Sequence, residues 1–173
     1  MNNKNKEEIT EVLSKIENLK AAKIIYQNYL ATFDSIIKKH FNPKMEEFAK
    51  QNGLEYHYEK SEEAYVRFYF TNPLWSEKCR IKFTFEKGYY YYGLSSNPYI
   101  YNLSPEKRNN LHKQLADLGI SSCKENKWWP FYKYISNLTV DVWERDIINS
   151  YNFLNDCKDK IKMILEAMKK IEL

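Results

Sequence analysis

Ala64-Tyr65-Val66-Arg67-Phe68-Tyr69-Phe70 and Cys79-Arg80-Ile81-Lys82-Phe83-Thr84-Phe85 decide the fold class. In the first stretch the even positions are apolar and in the second the odd ones, a period of two that marks strands with one face in a core and one in water. Leu54–Tyr58 reads as a further strand and Tyr89-Tyr90-Tyr91-Tyr92-Gly93-Leu94 as another, so residues 54–94 predict an antiparallel sheet of about four strands. Glu86-Lys87-Gly88 marks a hairpin. With Gly88 in a left-handed position, Phe85 pairs with Tyr89 and Phe83 with Tyr91; a two-residue loop turns Tyr90 and Tyr92 inward instead. The repeat alone does not choose between these registers.

Outward from the sheet the period lengthens. Ile9, Val12, Ile16, Leu19, Tyr26, Leu30, Phe33 and Ile37 are spaced three and four apart, broken only by Lys23, and predict a long amphipathic helix over residues 6–40. Asn42-Pro43 offers a cap and a first-turn proline for a short helix over 43–52 that ends before Gly53. Ser104-Pro105-Glu106 is a cap, a first-position proline and a first-turn acid for a helix over 104–118, stopped by Gly119. Residues 120–138 read as an aromatic loop. Ile147, Tyr151, Leu154, Ile161, Leu165 and Met168 predict a last helix over 141–171, with Lys158 as its polar break. The expected class is α+β: about four strands packed with two long terminal helices and shorter ones, in a single domain over 1–173.

Composition supports a folded chain. Of 173 residues 43% are hydrophobic, 29% charged and only four are Gly, which disfavours disorder and low complexity. No run approaches the roughly 18–20 apolar residues of a membrane span, and the N-terminus lacks a signal-like apolar stretch, so no membrane partner and a cytoplasmic location are expected. Cys79, Cys123 and Cys157 are odd in number and far apart, which argues for reduced thiols. The net charge of +4 is spread without a basic arm or an acidic tail.

The search for chemistry returns few candidates. His40, His57 and His112 have no metal-ligand spacing, and the four glycines form no phosphate loop, so no catalytic residue, metal or cofactor is assigned. The adjacent carboxylates Glu46-Glu47 and Glu62-Glu63 point in different directions on any regular element. Two surfaces remain. One is Trp128-Trp129-Pro130-Phe131-Tyr132-Lys133-Tyr134, where Trp128, Trp129, Tyr132 and Lys133 suit base stacking or a protein hot spot, against the plainer reading of a loop plugging the core. The other is the outward face of the strands, where Arg67, Arg80 and Lys82 stand beside the tyrosines, against the plainer reading of solvated cations.

The Phe83-Thr84-Phe85 strand, Tyr91-Tyr92-Gly93-Leu94, the Trp-Trp-Pro run and Trp143 together resemble the C-terminal half of bacterial and phage PD-(D/E)XK-like nuclease superfamily proteins, over roughly residues 20–170. The resemblance implies a nuclease centre of an Asp and an acidic-x-Lys pair in a portion preceding this region. Acidic-x-Lys occurs at Glu125-Asn126-Lys127 and Asp156-Cys157-Lys158, no more often than composition predicts, and neither follows a strand that would set an Asp beside it. The expectation is an accessory region without the nuclease. Its first reading is a non-enzymatic module that engages a protein partner, in phage–host conflict if the resemblance extends to function. The second is a nucleic-acid-binding module on the basic aromatic face, and the third a cryptic metal-dependent nuclease through Glu125 and Lys127. The terminal helices add the expectation of a homodimer.

Overall fold

The computed structural model describes residues 3–60, 66–75, 78–86, 89–135 and 152–171. Two compact units make up the chain, Met1–Lys39 and His40–Leu173.

The first unit is helical. The continuous helix expected over 6–40 is instead α1 (Asn3–Leu13) and α2 (Ile16–Ile36). At the break Ser14 N–H still donates to Thr10 O (3.0 Å), while the Asn18 side chain donates to Val12 O (2.8 Å). Asn18 thus takes up a carbonyl that the helix leaves open, as Asn does where it competes with the regular ladder.

The second unit is a six-stranded antiparallel sheet, not one of about four strands. Its strands are β1 (Glu55–Lys60), β2 (Val66–Thr71), β3 (Cys79–Glu86), β4 (Tyr89–Ser96), β5 (Lys124–Asn126) and β6 (Trp129–Tyr134), in the order β1-β2-β3-β4-β6-β5. The two added strands come from the stretch expected to be an aromatic loop over 120–138. Asn126 Oδ1 accepts from the N–H groups of Trp128 (2.8 Å) and Trp129 (3.0 Å), a side-chain turn that reverses the chain and aligns β6 with β4.

Pairings Phe85↔Tyr90 and Phe83↔Tyr92 settle the hairpin in favour of the two-residue connection, with Tyr90 and Tyr92 inward. Phe68, Phe83 and Tyr92 thereby share one cross-strand row; the Phe68 and Phe83 rings stack at 4.8 Å, and Phe83 and Tyr92 at 5.7 Å. Three described helices, α3 (Asn42–Gln51), α4 (Pro105–Asp117) and α5 (Asn152–Lys170), belong with this inner layer. Met45, Phe48 and Ala49 of α3, Leu111 and Leu115 of α4, and Phe153, Cys157, Ile161 and Ile164 of α5 are all buried. Residues 141–151 of the expected last helix lie outside the described residues.

The helix boundaries follow local chemistry. Ser104 Oγ accepts from Lys107 N–H (3.2 Å) ahead of Pro105, and Gly119 at φ 91° closes α4, as its sequence predicts. Asn42 is no cap: a π-helical turn, Ile37–Phe41, precedes it and the backbone stays helical into α3. Proline lacks a donor and crowds the carbonyl four residues back, and a widened turn relieves both conflicts. The freed Asn42 side chain accepts from Tyr56 OH (2.8 Å). Among the described residues no helix is long and apolar enough to cross a membrane.

Burial raises the pKa of several core acids. The Cys79 thiol is pushed up to about 12, and Tyr90 and Cys157, 3.4 Å apart and fully enclosed, both lie well above their ordinary values. In the unfolded chain these groups ionise near their ordinary values, about 8.5 for a thiol and about 10 for a phenol, while the folded state keeps its protons. Unfolding therefore releases protons, and stability falls as pH rises from about 9 toward 12. Urea unfolding should show a midpoint flat through neutral pH and dropping above it, with a shallower alkaline slope in Cys79→Ala.

Candidate functional site

Strand alternation sends one set of side chains away from the helices. Two cross-strand rows of this outer face are His57↔Tyr69↔Lys82↔Gly93↔Tyr132 and Glu59↔Arg67↔Thr84↔Tyr91↔Tyr134, with Glu55↔Thr71 and Arg80↔Ser95 beside the first. Cations and rings interleave on it. The His57 imidazole stacks on Tyr69 at 4.6 Å and 14°, the Arg80 guanidinium stands 4.8 Å from the Tyr69 centroid, and Lys82 Nζ is 5.7 Å from the Trp129 ring. Such contacts fix long cationic side chains over π faces and keep them partly in water.

At the end of these strands the face deepens into a groove of about 860 Å³. Lys78, Arg80, Lys82, His57, Trp128 and Trp129 line it, and among the described residues its lining holds three fixed cations and one carboxylate, Glu55. Ser96 also lines it, and the buried Ser96 Oγ makes no hydrogen bond among the described residues. Ser96 has the inward parity of β4, opposite Cys79.

The groove wall is held from behind by α4. Arg108 donates through Nε to Leu103 O (3.2 Å), through Nη1 to Asn126 O (3.2 Å) and through Nη2 to Asn102 Oδ1 (2.6 Å). His112 Nε2 lies 2.9 Å from Pro130 O, which can only accept, and 3.3 Å from the Glu125 carboxylate. These contacts pin the β5–β6 turn, and with it Trp128, whose carbonyl accepts from Ser96 N–H (2.9 Å). Trp128 is 41% exposed and meets the exposed Tyr99 edge-on at 5.7 Å. Trp129 is half-buried, in contact with Tyr91 (5.3 Å) and Tyr132 (6.2 Å).

The sequence candidates therefore divide. Arg80, Lys82, Trp128 and Trp129 come together in the groove, and Tyr132 stands beside Trp129 on the same face. Arg67 shares the face but pairs with Glu59 at 2.8 Å. Lys133 has the opposite parity and lines a second cavity of about 490 Å³ with Tyr92, Asp156 and Lys160 on the helix side. The Trp run is neither wholly a core plug nor wholly a surface, since Phe131 is fully buried while Trp128 is not. Residues missed from sequence are Lys78, Tyr69, Ser96, Arg108 and His112. Of these, Lys78, next to the Cys79 strand, and Tyr69, at an outward position of the Val66–Phe70 strand, carry a sequence signal that could have marked them.

His57 Nε2 lies 3.0 Å from Thr71 Oγ1 and 3.8 Å from Glu55 Oε2, so both partners meet the same ring nitrogen. A relay that activates a hydroxyl requires them on different nitrogens. The Glu125 carboxylate faces His112 and Arg108 (4.0 Å), and Lys127 lies 5.5 Å from the Trp128 ring. Among the described residues no three His, Cys, Asp or Glu side chains converge as metal ligands. The Tyr69 phenol is raised above its ordinary value by burial first and then by the charge and hydrogen bond of Glu59, so it stays a donor at neutral pH.

Two substitutions test this construction. A Cβ at Gly93 would run into Phe131 O and lie 2.8 Å from Tyr132 Cα, so Gly93→Ala should force β6 off β4 and cost about 2–4 kcal/mol by denaturant unfolding. Arg108→Ala strips the donor from three acceptors; it should cost about 1–3 kcal/mol and shift tryptophan emission toward that of a more solvated ring. No model of a protein family matches the chain, nor does any curated protein or solved structure, and the resemblance to the PD-(D/E)XK-like superfamily rests on its aromatic motifs alone.

Proposed function

We propose that this chain is a non-enzymatic module that binds a single strand of nucleic acid along the outer face of its sheet. The observation that carries this reading is the groove in which Lys78, Arg80 and Lys82 stand with Trp128, Trp129 and His57, whose ring stacks on the neighbouring Tyr69. Cations spaced along an antiparallel face follow a phosphate backbone, and rings between them offer π faces to unpaired bases. A duplex keeps its bases stacked on each other and presents only phosphates, so it gains from the cations and not from the rings.

A protein partner is the second reading, carried by the Tyr99–Trp128 pair, because an exposed aromatic pair beside cations is also how interface hot spots are built. The phage–host setting implied by the resemblance accommodates either partner. The cation-to-anion ratio of the groove favours the polyanion.

Fluorescence anisotropy with labelled single-stranded and duplex oligonucleotides of equal length tests the proposal. Single strands should bind more tightly than duplex, with affinity falling steeply as salt rises. Arg80→Ala/Lys82→Ala should reduce the salt slope by about two, and Trp129→Ala should cost about 1–3 kcal/mol with the slope unchanged. Binding insensitive to salt, or equal for both substitutions and wild type, overturns it.

A further inference from the structure

The N-terminal unit points to a second binding surface, independent of the ligand on the sheet face. Ile9, Val12, Ile16 and Leu19 follow one another at three- and four-residue spacing along α1 and α2, Tyr26 comes two such steps further with Lys23 between, and each of the five stays 45–82% exposed. That spacing is the seam of paired helices, and a seam left in water forgoes the burial that would stabilise it. Taking roughly 200 Å² for a fully exposed large side chain, the five leave on the order of 600 Å² open, so two such seams face to face would bury about 1,200 Å², where stable interfaces begin.

Charge selects both the occupant and the orientation. Residues 7–11 hold Glu7, Glu8 and Glu11 and no cation, while residues 15–23 hold Lys15, Lys20 and Lys23 against Glu17 alone. Laid antiparallel about a two-fold axis at Lys15, residue 7 of one copy faces residue 23 of the other, the acidic stretch runs along the lysine stretch, and only Lys15, on the axis, meets its own kind; symmetry makes the match twice. Lys4 and Lys6 then fall opposite the uncharged run Ile24–Asn28. A parallel arrangement would set like charges against each other. We propose that the chain forms an isologous antiparallel dimer through α1 and the N-terminal half of α2, with Lys23, the polar break in the seam, opposite the carboxylates of its partner copy.

Sedimentation equilibrium on the full chain tests this, with circular dichroism confirming that each variant is folded; the substituted side chains are exposed, so the sheet unit is left alone. Wild type should sediment at twice the chain mass and dissociate on dilution. Leu19→Glu should abolish the dimer. Glu8→Lys/Glu11→Lys should weaken it by roughly tenfold or more, and adding Lys20→Glu/Lys23→Glu should restore it, since the reversed charges again complement each other. A monomer at every concentration overturns the proposal. So does a dimer indifferent to Leu19→Glu, or a fourfold variant that fails to recover.

Discussion

The register between β3 and β4 governs the rest of the sheet unit. Pairing Phe83 with Tyr92 and Phe85 with Tyr90 puts four rings on the helix side and sends Lys82, Thr84, Tyr91 and Gly93 to the other. A slip of one residue on β4 would exchange its buried and exposed sets, driving Tyr91 and Tyr89 into the core and leaving Tyr90 and Tyr92 in water. The register is held from inside by Tyr90, which meets Phe153 of α5 edge-on at 5.3 Å and shares a hydrogen bond with Cys157. The outer face inherits its order from the core, because each ring that turns inward obliges its neighbours to turn outward.

Gly93 then does for the outer face what the tyrosines do for the inner one. Strand β6 passes so close to it that a side chain has no room, and Trp129 touches Lys82, Tyr91 and Tyr132, the three residues around that position. A single residue without a Cβ thus lets the aromatic hairpin join the sheet. It also brings Trp129 near Lys82, 47 residues earlier in sequence. The groove is a consequence of strand pairing between distant segments, held by Arg108 and Asn126 at its rim.

Much of this was legible in the chain. The period of two over Val66–Phe70 and Cys79–Phe85, the Ser104 cap and the two ends of α4 come from local rules that the fold obeys. The β5–β6 hairpin was not legible, because Pro130 argues against an inner strand. Its place becomes clear only with the partner in view: β5 shifts register between Lys124 and Asn126, so Pro130 falls where the ladder is already interrupted. The split between α1 and α2 was hidden for a similar reason, since the apolar spacing runs unbroken through Ser14-Lys15. For the groove, Arg80, Lys82 and the two tryptophans were visible as residue types, whereas their meeting depends on β6 lying beside β4. Lys133, one residue beyond Tyr132, went to the other face by the alternation that reading it as a loop had set aside.

The sheet order has one more consequence. Its outermost strands are β1, which carries Glu55, His57, Glu59 and Lys60, and β5, which is only three residues long and reads Lys-Glu-Asn. Open strand edges template the addition of further strands, and charge on one edge together with brevity on the other discourages it. An unusually tyrosine- and phenylalanine-rich sheet can therefore expose its rings across a face without inviting growth from its margins. Aromatic chemistry that would drive a bare strand toward fibrils is confined here to two dimensions.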